Sequence, residues 1–170
     1  MLQMRDHQVF GECFQRAPNR DARLPYYRRV ASLGLGLAES LKRPDRFCGI
    51  HFCHPTLMNL VEIVRPKTAS DVTISDVTHW ARGLGKTPVA VRDAPGFVVN
   101  RLLSALLDAA IQLAVEGNSI QQVDGALREF GFLGGPFEMM DLIGLDTTVL
   151  AGQSLLAAGI PQVSRNPVLL

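Results

Sequence analysis

The chain of 170 residues has few cysteines, little net charge and no long apolar run. Its three cysteines, Cys13, Cys48 and Cys53, form no paired framework. That excludes a disulfide-built secreted fold and predicts a reducing, cytoplasmic setting. A net charge of +1 gives no electrostatic case for nucleic acid or for an anionic membrane. No apolar stretch approaches the roughly 18 residues of a membrane span, and the first residues lack the apolar core of a secretion signal. Lysine is missing before Ser32 while arginine is frequent, but Asp6, Glu12 and Asp21 argue against a transit peptide. Residues 1–31 also lack helical period and strand alternation, which predicts a segment without ordered elements. What remains is globular: 47% apolar and 19% charged residues can bury a core, in one ordinary domain or two small ones.

The informative stretch runs from Gly49 through Ile50, His51, Phe52, Cys53, His54 and Pro55 to Leu60, Val61, Glu62, Ile63 and Val64. Phe, Ile and Val suit a pleated, half-buried surface, and Pro55 stops ladder pairing. Two strands around a turn centred on Thr56 and Leu57 put His51 opposite Glu62, where partners sit about 5 Å apart. A carboxylate that holds an imidazole fixes its tautomer and makes a positioned general base. A lone histidine on an apolar strand is more often a satisfied core residue, so spacing alone leaves both readings open. A metal site built on His51, Cys53, His54 and Glu62 is not expected. Neighbouring strand residues point to opposite faces, and no second ligand pair follows.

Further along, Ser70 is a good N-cap with Asp71 in the first turn. A helix is expected over residues 71–83, with Val72, Val77, Trp80, Ala81 and Leu84 on its inner face. Gly83 and Gly85 stop it, and residues 87–91 read as a strand. Pro95-Gly96 marks a boundary. The longest helical pattern follows, from Phe97 to about Glu116, with a stripe of Leu103, Leu106, Leu107, Ala110, Ile111 and Ala114. Ser119 with Gln122 is a capping-box signature for a helix over about 120–129, with Val123, Ala126 and Leu127 inward. Pro136 suits a first helical turn. Helices are expected over about 137–142 and 146–158; apolar residues nearly encircle them, which suits a helical partner, although apolar stripes alone more often mean ordinary core.

The order of these motifs is specific. Arg46-Phe47-Cys48-Gly49-Ile50-His51-Phe52-Cys53-His54-Pro55, with Leu60-Val61-Glu62-Ile63-Val64, resembles the active-site hairpin of the L-3-hydroxyacyl-CoA dehydrogenases. Gly85-Lys86-Thr87-Pro88-Val89, with Asp93-Ala94-Pro95-Gly96-Phe97-Val98-Val99-Asn100-Arg101, resembles that family's passage into its C-terminal domain. Gly135-Pro136-Phe137-Glu138 and Asp141-Leu142-Ile143-Gly144-Leu145-Asp146-Thr147 follow in register. The resemblance runs from about Ser32 to Leu170. It implies the end of a Rossmann-type NAD-binding domain over 32–94. An all-α domain of the 6-phosphogluconate-dehydrogenase C-terminal type would follow over 95–170.

The resemblance further implies NAD-dependent oxidation of an L-3-hydroxyacyl-CoA to the 3-keto form, in fatty acid metabolism. His51 would take the hydroxyl proton, Glu62 would hold the ring, and Asn100 would hydrogen-bond the substrate. It implies a homodimer formed through the helical domain and an acyl-CoA substrate, with no nucleic acid or membrane partner. From pattern alone, Asn100 reads as a solvent-facing residue of a helix N-terminus.

Several departures bear on activity. The family's Gly-rich dinucleotide fingerprint is not found. Gly34-Leu35-Gly36 offers two glycines, but Glu39 stands at the third position and no clear strand precedes. Ala31 stands where the family's substrate-contacting serine belongs, and Ser32 matches the serine after it. His54 replaces an asparagine used near the nicotinamide, and the His51–Glu62 loop is one residue shorter. Asn166 to Leu170 breaks off where another helix is expected, and a later Lys-Thr-Gly-rich segment is absent. The expectation is a middle slice of such an enzyme, truncated at both ends, with residues 1–31 foreign to the family. It would have weak NAD binding and little activity alone. The alternative is a non-catalytic remnant that keeps the dimerisation and acyl-CoA surfaces.

Overall fold

In a computed structural model, the chain is described over residues 10–15, 26–31, 38, 41–53 and 58–160. The expectations for Ser32, Gly34, Gly36, Glu39, His54, the Thr56–Leu57 turn and residues 161–170 lie outside these. The chain divides into two compact units, Met1–Phe97 and Val98–Leu170.

The first unit is built on a sheet of five strands: β1 (Phe10–Gln15), β2 (Tyr26–Ala31), β3 (Phe47–Phe52), β4 (Leu60–Arg65) and β5 (Thr87–Arg92), in the order β2-β1-β3-β4-β5. β1 runs antiparallel to both β2 and β3, β3 antiparallel to β4, and β4 parallel to β5. β1 and β2 stand where the sequence pattern predicted no ordered element. Their ladder explains this. β1 pairs along the edge of β3, from Glu12↔Ile50 to Gln15↔Phe47, and backbone pairing of an edge needs no apolar alternation.

The α-helix α1 (Asp71–Gly83) connects β4 to β5. The Ser70 hydroxyl accepts from the Thr73 N–H at 3.2 Å, and Asp71 sits in the first turn, both favourable at the positive end of the helix. Its buried face is Ile74, Val77 and Ala81. This corrects the predicted face: Val72 is 66% exposed and Leu84 52%. At 100° per residue Val72 points almost opposite Ala81, and Leu84 lies beyond the last turn.

Strand alternation then separates two faces. Cys48, Ile50, Val61 and Ile63 pack with Ala69, Ile74, Val77 and Ala81, flanked by Phe52 and Trp80. The residues between them, Gly49, His51, Glu62 and Val64, take the other face. Gly49 pairs with Val64, and a Cβ on it would lie 3.0 Å from Val64 Cβ, so the small residue lets these strands close up.

Among its described residues the second unit holds four α-helices: α2 (Val99–Val115), α3 (Ile120–Phe130), α4 (Pro136–Ile143) and α5 (Leu145–Ala157). The predicted α2 stripe is buried or half-buried along its length. Ser119 and Gln122 form the predicted capping box. The Ser119 hydroxyl accepts from the Gln122 N–H at 3.2 Å, and Gln122 Oε1 accepts from the Ser119 N–H at 2.9 Å. The inner face of α3 differs from expectation. Ala126 is exposed, and Val123 and Asp124 are buried. Asp124 is inside because Oδ1 accepts from the Phe137 N–H at 2.9 Å, satisfying one orphan donor at the start of α4. Glu138 accepts from the Gly135 N–H at the N-cap of α4 and also meets Arg128, a second tie between α3 and α4 beside Asp124.

Candidate active site

The β3–β4 register puts His51 opposite Glu62, as the turn count predicted. The side chains meet: His51 Nδ1 lies 2.6 Å from Glu62 Oε2. They are 6% and 1% exposed. A carboxylate only accepts hydrogen bonds. Nδ1 therefore carries the hydrogen, and Nε2 keeps the lone pair that a general base needs.

Two neighbours complete the surroundings, Phe97 and Cys53. The Phe97 ring sits 5.6 Å from the His51 ring, inclined at 50°. Its backbone is bent into the left-handed region with φ of 43°, which a non-glycine residue adopts only when held there. Phe97 closes the turn Ala94-Pro95-Gly96-Phe97. The Phe97 N–H donates to Ala94 O at 2.9 Å, and Gly96 has φ of 72°, the pattern of a type II turn. The Pro-Gly pair announced the turn; the direction of the next side chain was not legible.

Cys53 follows His51 by two positions and so returns to the same face. One ligand-type atom from each of His51, Cys53 and Glu62 lies within 4.8 Å of the others. The sequence argument against metal, that adjacent strand residues diverge, applies to Cys53 and His54 but not to His51 and Cys53. Burial and the Glu62 carboxylate push the Cys53 thiol up from 9.0 to about 11. Only the thiolate reacts, so Cys53 is expected to alkylate with iodoacetamide roughly 100-fold more slowly than an ordinary thiol at mildly alkaline pH. Peptide mass spectrometry over a time course checks this; equal rates would contradict it.

Asp93 follows β5, and among the described residues its buried Oδ2 has no hydrogen-bond partner. Burial raises its pKa. The folded state therefore binds this proton more tightly than the unfolded chain does. Stability tied to Asp93 falls as pH rises from the ordinary aspartate range through the raised value. Asp93→Asn is expected to raise the melting temperature at neutral pH, with the gain closing in acid. Melting scans across pH test this, and a gain that persists in acid would contradict it.

Asn100 lies in the other unit, on the first turn of α2, and is half-buried. Among the described residues no helix is long and apolar enough to cross a membrane.

A dinucleotide needs open backbone N–H groups in a glycine turn at a helix N-terminus. Among the described residues the βαβ unit is β4–α1–β5. Its first loop, residues 66–70, contains no glycine. Two of its N–H groups are engaged, Ala69 with Pro66 O at 3.1 Å and Ser70 with Asp45 O at 2.9 Å. The described residues do not fit the phosphates of NAD.

Comparison with known proteins agrees with the hairpin and the helical unit. The family model for the 3-hydroxyacyl-CoA dehydrogenase NAD-binding domain matches residues 35–94, and that for the C-terminal domain matches residues 96–169. The chain is similar to the (S)-3-hydroxybutyryl-CoA dehydrogenase PaaH1 of Ralstonia eutropha, at 34% identity and a TM-score of 0.71 over 76% of this chain and 47% of that one. FadB2 of M. tuberculosis matches at 31% identity and a TM-score of 0.72, over 81% and 50% of the two chains. A 3-hydroxybutyryl-CoA dehydrogenase of Escherichia coli K12 matches at 30% identity and a TM-score of 0.70, over 82% and 29%. The chain thus spans about half the length of the first two and less than a third of the last. With both halves matched in order, the chain belongs to the 3-hydroxyacyl-CoA dehydrogenase family.

Proposed function

We propose that this chain carries the acid–base centre of a 3-hydroxyacyl-CoA dehydrogenase acting in fatty acid metabolism. The observation that carries the reading is the buried contact of 2.6 Å between His51 Nδ1 and Glu62 Oε2. His51 Nε2 takes the proton of the 3-hydroxyl during oxidation and returns it during reduction. An imidazole can both accept and return a proton, which suits it to both directions. Glu62 keeps the ring in one tautomer and steadies the imidazolium as it forms, as the carboxylate does in a hydrolase triad. Phe97 backs the ring and limits its motion. Asn100 hydrogen-bonds the acyl-CoA near the reacting carbon.

In this family NAD accepts the hydride. The described residues offer no cradle for its phosphates, so this chain supplies the proton half of the reaction and turns over slowly alone. That misfit favours a second reading, a non-catalytic remnant that binds acyl-CoA and pairs with a second copy. Exposed Leu142, Leu145, Leu150 and Leu156 on α4 and α5 support a homodimer through the helical unit. Sedimentation mass tests it. The chain's three cysteines, with no disulfide framework in their spacing, support a reducing, cytoplasmic setting.

NADH formation from NAD and L-3-hydroxybutyryl-CoA decides between the two readings. Slow turnover that falls to background in His51→Ala is the expected result, since a positioned acid–base group contributes about 100- to 10,000-fold. Turnover that survives His51→Ala would contradict the assignment. Acyl-CoA binding without turnover would favour the remnant.

A further inference from the structure

We propose that His51, Cys53 and Glu62 form a binding site for a soft divalent cation, Zn2+ in the first place, which occupies the acid–base pair and holds it inactive. Strand alternation puts His51 and Cys53 on one face of β3 and its continuation, and the β3–β4 register brings Glu62 beside them. One sulfur, one nitrogen and one oxygen therefore converge, all within 4.8 Å of one another. Zinc bonds of about 2.0–2.3 Å in a tetrahedral site put neighbouring ligand atoms roughly 3.3–3.7 Å apart. Closing the set requires side-chain shifts of only about 1 Å. The His51–Glu62 contact of 2.6 Å is shorter than that spacing. The proton between them leaves, and the ion takes its place.

The donor set selects the ion. Thiolate and imidazole favour zinc and its neighbours over magnesium or calcium, which prefer all-oxygen sites. Three protein ligands leave a fourth position open for water, as in exchangeable rather than structural zinc sites. Cys53 is half-buried while His51 and Glu62 are buried, so the ion enters past the sulfur. The thiol gives its proton to solvent on ligation. Its burial makes that step costly, but a dication between sulfur and carboxylate turns the repulsion from Glu62 into attraction. Affinity is accordingly that of a reversible inhibitor rather than a permanent structural ion. A ligated ring loses either its Nδ1–H bond to Glu62 or the free lone pair at Nε2, and each loss stops proton transfer. This inhibitory consequence rests on the acid–base role proposed for His51; the binding itself does not.

The test uses the full chain and Co2+ as a spectroscopic probe. One equivalent is expected to produce a near-ultraviolet cobalt–thiolate charge-transfer band, abolished by Zn2+ in competition. Cys53→Ser is expected to remove the band and to weaken Zn2+ binding, followed by calorimetry, at least about tenfold. Glu62→Gln should weaken binding but keep the band. No band in the parent chain, or a band that persists in Cys53→Ser because Cys13 or Cys48 supplies the sulfur, overturns the site. Zn2+ that binds through Cys53 yet leaves NADH formation unchanged upholds the site and overturns the role of His51.

Discussion

Glu62→Ala is expected to destabilise the sheet unit by about 3 kcal/mol and to end proton transfer at His51. Glu62 is 1% exposed, and its carboxylate meets the buried His51 ring. Removing it leaves an imidazole N–H without a partner, which costs about 1–3 kcal/mol. It also leaves a cavity, and truncations of comparable size in packed interiors cost about 2–5 kcal/mol. Glu62→Gln keeps the volume and an acceptor oxygen, so its stability loss should be nearer 1 kcal/mol. It should still impair catalysis, because the charge that steadies the imidazolium is gone. The chain has one tryptophan, Trp80, and it packs against the core shared by α1 and the sheet. Its fluorescence in a urea titration therefore reports this unit. A midpoint for Glu62→Ala equal to that of the parent would mean that the pair is not formed in solution.

Gly135→Ala is the second large effect, in the helical unit. Gly135 precedes α4 at φ of −78° and ψ of 163°, a conformation any residue adopts, so backbone strain is not the issue. Space is. A Cβ there would lie 2.2 Å from Asp124 Cγ and Oδ1 and 2.3 Å from Asp124 Cβ. A rotamer change can move the carboxylate but not the Cβ, so α3 and α4 must separate. The Phe137 N–H then loses its acceptor as well. Overpacking typically costs about 1–3 kcal/mol and a lost cap about 1 kcal/mol, so a loss of about 3 kcal/mol is expected. Far-ultraviolet circular dichroism should follow it, with the Trp80 transition unmoved. Asp124→Ala removes the cap but not the clashing Cβ. The double variant should therefore fall short of the sum of the two single ones only by the shared cap.

These residues also explain how far the sequence could be read. The His51–Glu62 register was legible because alternation in two short strands and one turn centre determine every pairing between them. The α1 and α3 caps were legible because each uses side chains and backbone within three positions. The inner faces were less so. Val72 is apolar yet faces away from the sheet. Asp124 is polar yet buried, because its partner, the Phe137 N–H, lies thirteen residues on. β1 and β2 carry no alternation and owe their place to backbone pairing, β1 along β3 and β2 along β1. Phe97 reaches His51 only through a backbone angle that pattern does not encode. Cys53 shares a face with His51 because the two are two apart along the strand, whereas the adjacent His54 does not follow that alternation. Asn100 was reached through family resemblance, not through helical pattern.

The most direct measurement is proton NMR of the imidazole N–H that lies between His51 and Glu62. The account predicts a single far-downfield resonance, absent in Glu62→Ala, that shifts when acetoacetyl-CoA is added. A spectrum without that resonance, or one that saturating acetoacetyl-CoA leaves unmoved, would contradict it.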